Sequence, residues 1–299
     1  MLNRVAAVVV TFNRLDLLKK NIKALKKQVS STPLDILLID NASTDGTQDY
    51  IMSLKDKQIQ YFNTGSNIGG AGGFNYGIRK AADLDYKWVW VMDDDTVPSP
   101  HALEALLSVE CNLSDNYGFL VSRVLWKDGT QCLMNCPKYK YKKINQDELT
   151  RDITPITQAS FVSLLMRCST VRDVGLPIKE FFIWGDDVEY TRRIALIYQK
   201  KSFIVKDSVV YHLMSVNKGS SIAMDVGNRI SRYRYAYRNE FYLYKKTGIN
   251  DFFYYLMKCV FNFLKIIIFS KDFKVQRVKV LINAIHEGAH FNPNIERLK

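Results

Sequence analysis

Unbroken apolar runs punctuated by polar turns set the frame of the first hundred residues. Val5-Ala-Ala-Val-Val-Val10 predicts a buried first strand. Asp35-Ile-Leu-Leu-Ile39, Ile59 to Phe62 and the run from Val89 predict three more. Leu15, Leu18, Ile22 and Leu25 recur at helical spacing between the first two strands. Ser43-Thr-Asp-Gly-Thr47 turns into a second helix. Gly69-Gly-Ala-Gly-Gly73 reads as a loop, with a third helix following through Lys80. Strands without alternation, separated by helices, indicate an α/β fold with a mostly parallel sheet covered on both faces. Such sheets hold ligands at the carboxyl ends of their strands, and Thr11, Asp40, Asn67 and Asp93 to Asp95 all fall there.

Past Pro100 the alternation weakens. Phe119 to Trp126, Phe161 to Met166, and Ser202 to Val205 continuing through Val209 to Tyr211 predict further strands, and a helix runs from Asp186 through Gln199. Lys138 to Lys143, with Tyr139 and Tyr141 interleaved, reads as a solvated loop over the strand ends. Phe252 to Phe269 is nearly all apolar, with Lys258, Asn262 and Lys265 forming one polar stripe. Mid-segment lysines make it a poor membrane span and suit a helix lying in a membrane interface. The alternative is a helix packed on the rest of the chain or across a homo-oligomer interface.

Composition changes this picture in one respect. At 299 residues, 47% hydrophobic and 24% charged, the chain can bury a real core and is not disordered. Its net charge of +12 is uneven, because residues 226–299 carry fourteen Lys and Arg against five Asp and Glu. That basic surplus points to an anionic surface, membrane or nucleic acid. The chain divides accordingly into residues 1–225 and a C-terminal helical region, 226–299. Five scattered cysteines fit neither a disulfide framework nor a zinc site and favour a reducing cytosol. Six apolar residues after Arg4 are too few for a signal-peptide core.

The candidate chemistry is carboxylate chemistry. Val89-Trp-Val-Met-Asp-Asp-Asp-Thr96 runs a buried strand into three consecutive acids, a repulsion that a hard divalent cation relieves while also holding phosphates. The bland alternative is a solvated strand end before Pro98-Ser99-Pro100. A second cluster, Asp186, Asp187 and Glu189, follows Gly185 at a helix start, where capping accounts for one carboxylate but hardly for two. Facing a metal–phosphate site it suggests a general base, its pKa raised by its neighbour. His212 follows a strand and is either structural or a ligand. Arg229, Arg232, Arg234 and Arg238, interleaved with tyrosines, would serve nucleic acid, but the acidic strand ends argue against that partner.

Taken together, Val8-Val-Val-Thr-Phe-Asn-Arg14, Leu38-Ile-Asp-Asn-Ala-Ser-Thr-Asp-Gly-Thr47, Asn67 with the glycine run, Asp93-Asp-Asp95 and Trp184-Gly-Asp-Asp-Val-Glu189 resemble glycosyltransferase family 2, over roughly residues 5 to 245. Asn67-Ile-Gly-Gly-Ala-Gly-Gly-Phe74, Tyr211-His-Leu-Met-Ser-Val-Asn-Lys218 and Tyr237-Arg-Asn-Glu240 are most similar to its galactofuranosyltransferase branch. Rhamnosyltransferases, which use dTDP-rhamnose, share much of the pattern. The resemblance implies a GT-A type fold, with nucleotide-sugar binding in residues 1–100 and the acceptor and base region in 101–225. It implies inverting transfer of a hexose, galactofuranose from the UDP-sugar UDP-galactofuranose, to a glycan or glycolipid acceptor. The basic and apolar C-terminus would hold such a cytoplasmic enzyme, as a peripheral protein, at the inner face of the membrane. The resemblance also implies Asp93, Asp95 and His212 as ligands of Mn²⁺ or Mg²⁺, with Asp94 near the donor ribose or sugar. Thr11, Phe12, Arg14 and Asp40 fall in the nucleotide pocket, Asp40 on the uracil. Asn67, Gly69 and Gly70 bring backbone to the nucleotide sugar. Asp187 stands as the base beside Asp186, and Trp184 and Glu189 stand on the acceptor side. In polymerising relatives Trp directly precedes the Asp pair, whereas here Gly185 intervenes.

Overall fold

The computed structural model describes residues 2–114, 116–140 and 142–298. Its first half alternates as the apolar runs predict. Strand β1 (Leu2–Thr11) precedes helix α1 (Leu15–Leu25), and β2 (Leu34–Asp40) precedes α2 (Thr47–Leu54). Then come β3 (Ile59–Asn63), α3 (Gly69–Asp83), β4 (Tyr86–Asp93), the short β5 (Thr96–Pro98) and α4 (Ala102–Leu113). The second half adds β6 (Leu120–Trp126), a hairpin of β7 (Lys138–Tyr139) and β8 (Lys142–Lys143), β9 (Ile153–Ile156), β10 (Leu164–Arg167), α5 (Cys168–Val174), α6 (Asp186–Arg192) and β11 (Ser202–His212). Three helices close the chain: α7 (Tyr233–Thr247), α8 (Ile249–Phe269) and α9 (Lys274–His290).

The main sheet runs β3-β2-β1-β4-β10-β6-β11-β5, with β9 on β11. The β3-β2-β1-β4 half is parallel, as expected, and β6 pairs parallel to β11; β5, β9 and β10 run antiparallel to their neighbours. Successive side chains of β1 alternate between two cores. Val5, Ala7 and Val9 meet Leu18, Ile22 and Leu103 on one face, while Ala6, Val8 and Val10 meet Phe74, Ile78 and Val171 on the other.

Several boundaries differ from the expectation. The glycine run is not a loop, because α3 begins at Gly69 itself. Gly73 and Gly77 lie against β1, where an added Cβ would come 2.5 Å from Val10 Cγ1 and 2.4 Å from Val8 Cγ1. Phe161 to Ser163 form a turn, so β10 starts only at Leu164. The stretch from Lys138 forms a two-stranded hairpin rather than an irregular loop; Tyr139 is exposed, and Tyr141 lies outside the described residues. The helix from Asp186 widens into a π-turn at Arg193–Ile197 before ending.

Helix α8 packs on α7 and α9 with an unexpected side inward. Tyr255, Cys259 and Ile266 are buried, and Lys258 reaches Glu240 Oε1 of α7 at 2.6 Å. The polar stripe thus lies on the protein side, while Phe253, Met257, Val260, Phe261, Leu264, Ile267 and Ile268 are exposed. By length and composition alone α8 could cross a membrane, and little of it is buried.

Candidate active site

Register alone gathers the strand ends: Val10 is paired with Asp93, and Thr11 with Asp40. The turn after β4 then folds the acids back. Thr11 Oγ1 donates to Asp94 Oδ2 at 2.7 Å, and Arg14 Nη1 donates to Asp95 Oδ2 at 2.8 Å and Asp94 Oδ1 at 3.3 Å. Because β5 pairs with the end of β11, Thr96 stands opposite His212, and His212 Nε2 lies 2.9 Å from Asp95 Oδ1. One ligand atom from each of Asp93, Asp95 and His212 lies within 4.8 Å of the other two. Two carboxylate oxygens and an imidazole nitrogen that close form a donor set that fits Mn²⁺ or Mg²⁺.

The charges here are strongly perturbed. Burial and the neighbouring Asp95 push Asp93 up to about 7. Burial also raises Asp94, to about 6, against the pull of Arg14. Burial works against His212, yet its hydrogen bond to Asp95 raises it to about 10. In return His212 and Arg14 hold Asp95 below the usual carboxylate range despite its burial. Cationic charge at this spot is favoured, and a bound cation would reverse the shift of Asp93.

The second cluster sits at the start of α6. Asp186 is buried and Asp187 half-buried, and Asp187 Oδ1 accepts the Val188 N–H at 2.7 Å. Burial raises Asp187 to about 6. Burial, then the charge of Asp187, and also that of Asp93 raise Asp186 well above its ordinary value. The charge of Asp93 contributes to that rise, so the two acidic clusters act on each other electrostatically. Trp184 is half-buried beside Tyr233, ring centroids 5.2 Å apart. Glu189 gives both carboxylate oxygens to Arg193, at 2.9 and 2.7 Å, and Arg193 also donates to the Val174 and Leu176 carbonyls. Glu189, expected on the acceptor side, is thereby held in a buried ion pair that ties α6 to the end of α5 and the residues after it.

The residues expected around the nucleotide occupy distinct places. Asp40 is fully buried, its carboxylate accepting from Ser43 N at 2.9 Å and from the Tyr61 hydroxyl at 2.7 Å. Phe12 is 40% exposed, a ring available for stacking. Asn67 Oδ1 accepts the Gly69 N–H at 2.9 Å, closing the turn into α3. Gly69 has φ +76°, and a Cβ on it would lie 2.1 Å from the Phe182 carbonyl oxygen, so only glycine fits. Gly70 has nothing within 4 Å of its Cβ position, leaving backbone open to a ligand.

Sequence reasoning missed Tyr61, which caps Asp40, and Asn135, whose Oδ1 lies 2.8 Å from His212 Nδ1. The Asn135 amide nitrogen donates to Ser160 Oγ at 2.9 Å, which turns the oxygen toward the ring; Nδ1 then carries the hydrogen. No local signal marks Asn135 in the chain. Three of the four interleaved arginines of the C-terminal region have internal partners: Arg229 pairs with Asp225, Arg234 with Glu287, and Arg238 donates to Asn239 Oδ1.

Comparison with known proteins bears on the family and the fold. Galactofuranosyltransferase GlfT1 of Mycolicibacterium smegmatis is 29% identical over 206 residues, 64% of this chain and 65% of that protein. GlfT1 of Mycobacterium tuberculosis is 28% identical over 214 residues, 65% of each. The chain thus spans 65% of the length of these relatives. Among solved structures, GalNAc-T7 with UDP, GalNAc and Mn²⁺ superposes with a TM-score of 0.59 at 14% identity, over 78% of this chain and 48% of that one. Staphylococcus aureus TarS 1–349 in complex with UDP gives 0.54 at 13%, over 96% and 72%. These likenesses establish the GT-A type fold. The model of glycosyl transferase family 2 matches residues 6–154, the span that carries β1 to β4 and the acid triplet, and the chain belongs to that family.

Proposed function

We propose that the chain is an inverting glycosyltransferase that moves galactofuranose from UDP-galactofuranose to a hydroxyl of a lipid-linked cell-surface glycan. The observation that carries this reading is the presence of two acidic clusters within electrostatic reach of each other. One offers a metal-ligand set, and the other holds two carboxyls of unequal acidity. The galactofuranose donor is supported by the GlfT1 relatives, and the UDP moiety also by the neighbour that binds it.

Asp93, Asp95 and His212 would hold Mn²⁺ or Mg²⁺, which when bound supplies positive charge to the diphosphate of the leaving group. Thr11 and Arg14 hold Asp94 and Asp95 in place, and open backbone at Gly70 and the ring of Phe12 line the nucleotide side. The acceptor hydroxyl attacks the anomeric carbon from the face opposite the diphosphate, Asp187 takes its proton, and the sugar–phosphate bond breaks as UDP departs. With Asp187 at about 6 its carboxylate is ionised near neutrality and free to accept a proton, and its charge raises the neighbouring Asp186. Trp184 offers an aromatic face to the acceptor sugar.

Residues 1–225 serve as the catalytic unit and 226–299 as a helical unit that rests on the inner face of the membrane. The outward apolar side of α8, with Lys271, Lys274 and Lys279 nearby, matches an anionic bilayer surface. The deciding experiment is a donor screen with Mn²⁺ and a panel of UDP- and dTDP-sugars, scored by nucleoside diphosphate release. Release from UDP-galactofuranose supports the reading, and release only from dTDP-rhamnose overturns it.

A further inference from the structure

The segment leading into α6 leaves ordinary backbone three times within four residues. Phe182 has φ 63° and ψ −59°, Trp184 has φ 65° and Gly185 has φ 89°. The first two carry large side chains in a region such residues rarely adopt, and the Ile183 N–H closes a tight turn onto the Phe181 carbonyl at 2.7 Å. Conformations of this kind persist only where the surroundings dictate them.

What dictates them lies on α7. Asn239 is fully buried, and its amide nitrogen donates to the carbonyls of Phe181 at 3.0 Å, Ile183 at 3.2 Å and Trp184 at 2.8 Å. The orientation of the amide is itself fixed, because Asn239 Oδ1 accepts from Arg238 Nε at 3.0 Å and Nη2 at 2.8 Å. Arg238 Nη2 donates as well to the carbonyls of Glu180 at 2.6 Å and Phe181 at 3.2 Å. From the opposite side the Phe182 carbonyl accepts the Ala71 N–H of α3 at 3.1 Å, and the Phe182 ring stacks on Tyr235, centroids 4.8 Å apart.

We infer that Asn239 is a positioning residue that holds the strained turn 181–184, and with it Trp184 and the Asp186–Asp187 pair, against the nucleotide side of the cleft. It touches neither donor nor acceptor and acts through the three carbonyls it gathers. The helical unit is on this account a working part of the acceptor side. The role of Asp187 used in the kinetic arm rests on the function proposed above, whereas the structural arm does not.

The test compares Asn239→Ala and Asn239→Asp with the wild-type chain. Asn239→Asp keeps the oxygen facing Arg238 and removes the donors. Amide hydrogen exchange over residues 180–187 rises in both variants, while protection of β1, β4 and α7 persists. With Mn²⁺ present, UDP affinity measured by calorimetry stays within about twofold. Acceptor-dependent turnover falls by about 100-fold, the scale of a small misplacement of reacting groups. Unchanged exchange over 180–187 overturns the inference, and so does an equal loss of UDP affinity and turnover. A wild-type chain that transfers no sugar sinks the proposed function yet leaves the exchange result to decide the clamp.

Discussion

His212 Nε2 sits 2.9 Å from Asp95 Oδ1 while its other nitrogen is held 2.8 Å from Asn135 Oδ1, so the ring is fixed at both ends. Removing the outer partner should disorder the inner one. Asn135→Leu is expected to lower Mn²⁺ affinity by about 10- to 100-fold, and Asn135→Asp to retain most of it, since a carboxylate still accepts the Nδ1 hydrogen. Titration of Mn²⁺ by electron paramagnetic resonance reads both. Equal affinities in the Leu variant and the wild type would count against a second-layer role.

The unequal Asp pair sets an acid limb on activity. With Asp187 at about 6, kcat/KM should fall with unit slope below about pH 6, and Asp187→Asn should abolish transfer while UDP binding persists. Asp186 is itself raised well above its ordinary value, by burial and by the charge of Asp187. The stability term has the opposite sense. Both carboxyls hold a proton more tightly folded than unfolded, so their contribution is complete below about 3.8 and is lost as the pH rises through the folded value. A pH–rate profile and a thermal-melt series separate the two effects.

The glycines of α3 divide into packing and open positions. Gly77→Ala drives a methyl against Val8 and Ile39 and should cost about 1–3 kcal/mol in denaturant unfolding. Gly70→Ala meets nothing and should leave stability within about 0.5 kcal/mol. If Gly70 faces the nucleotide sugar, that same variant binds donor more weakly at unchanged stability. Full donor affinity would remove it from the site.

Membrane docking has separable apolar and electrostatic parts. Phe261→Asp or Ile268→Asp on the outer side of α8 should reduce sedimentation with phosphatidylserine vesicles by about tenfold or more. Each of Lys271, Lys274 and Lys279 changed to Gln should reduce it by about fivefold at low salt and hardly at all at high salt. Neutral and anionic vesicles retaining equal amounts of the chain would refute the electrostatic part.

The parallel half of the sheet was legible because its strands are covered on both faces and read as plain apolar runs, Val5 to Val10 above all. The acids were legible for the complementary reason that charge at the end of a buried strand needs an explanation. Less visible were β5 and β9, three or four residues each, with Pro98 and Pro155 inside them and pairing that depends on the distant β11. The start of α3 was hidden by the low helix propensity of glycine, which close approach to β1 overrides. The ion pair of Glu189 with Arg193 one turn on was not visible either, because i, i+4 spacing permits it but cannot distinguish a buried pair from an exposed one. The inward polar stripe of α8 answers to Glu240 on another helix, which periodicity within α8 cannot reveal.

The alternation of β1 between two interiors has a consequence for how such a chain can vary. Adding or deleting one residue between Val5 and Val10 would exchange the contents of both cores at once. It would also slide Thr11 and Arg14 away from Asp94 and Asp95, since the same register fixes both. Side chains in this strand can change one at a time, but its length cannot. Insertions that diversify the protein are thus confined to the connections, where they alter the rim of the cleft without breaking the lattice beneath it.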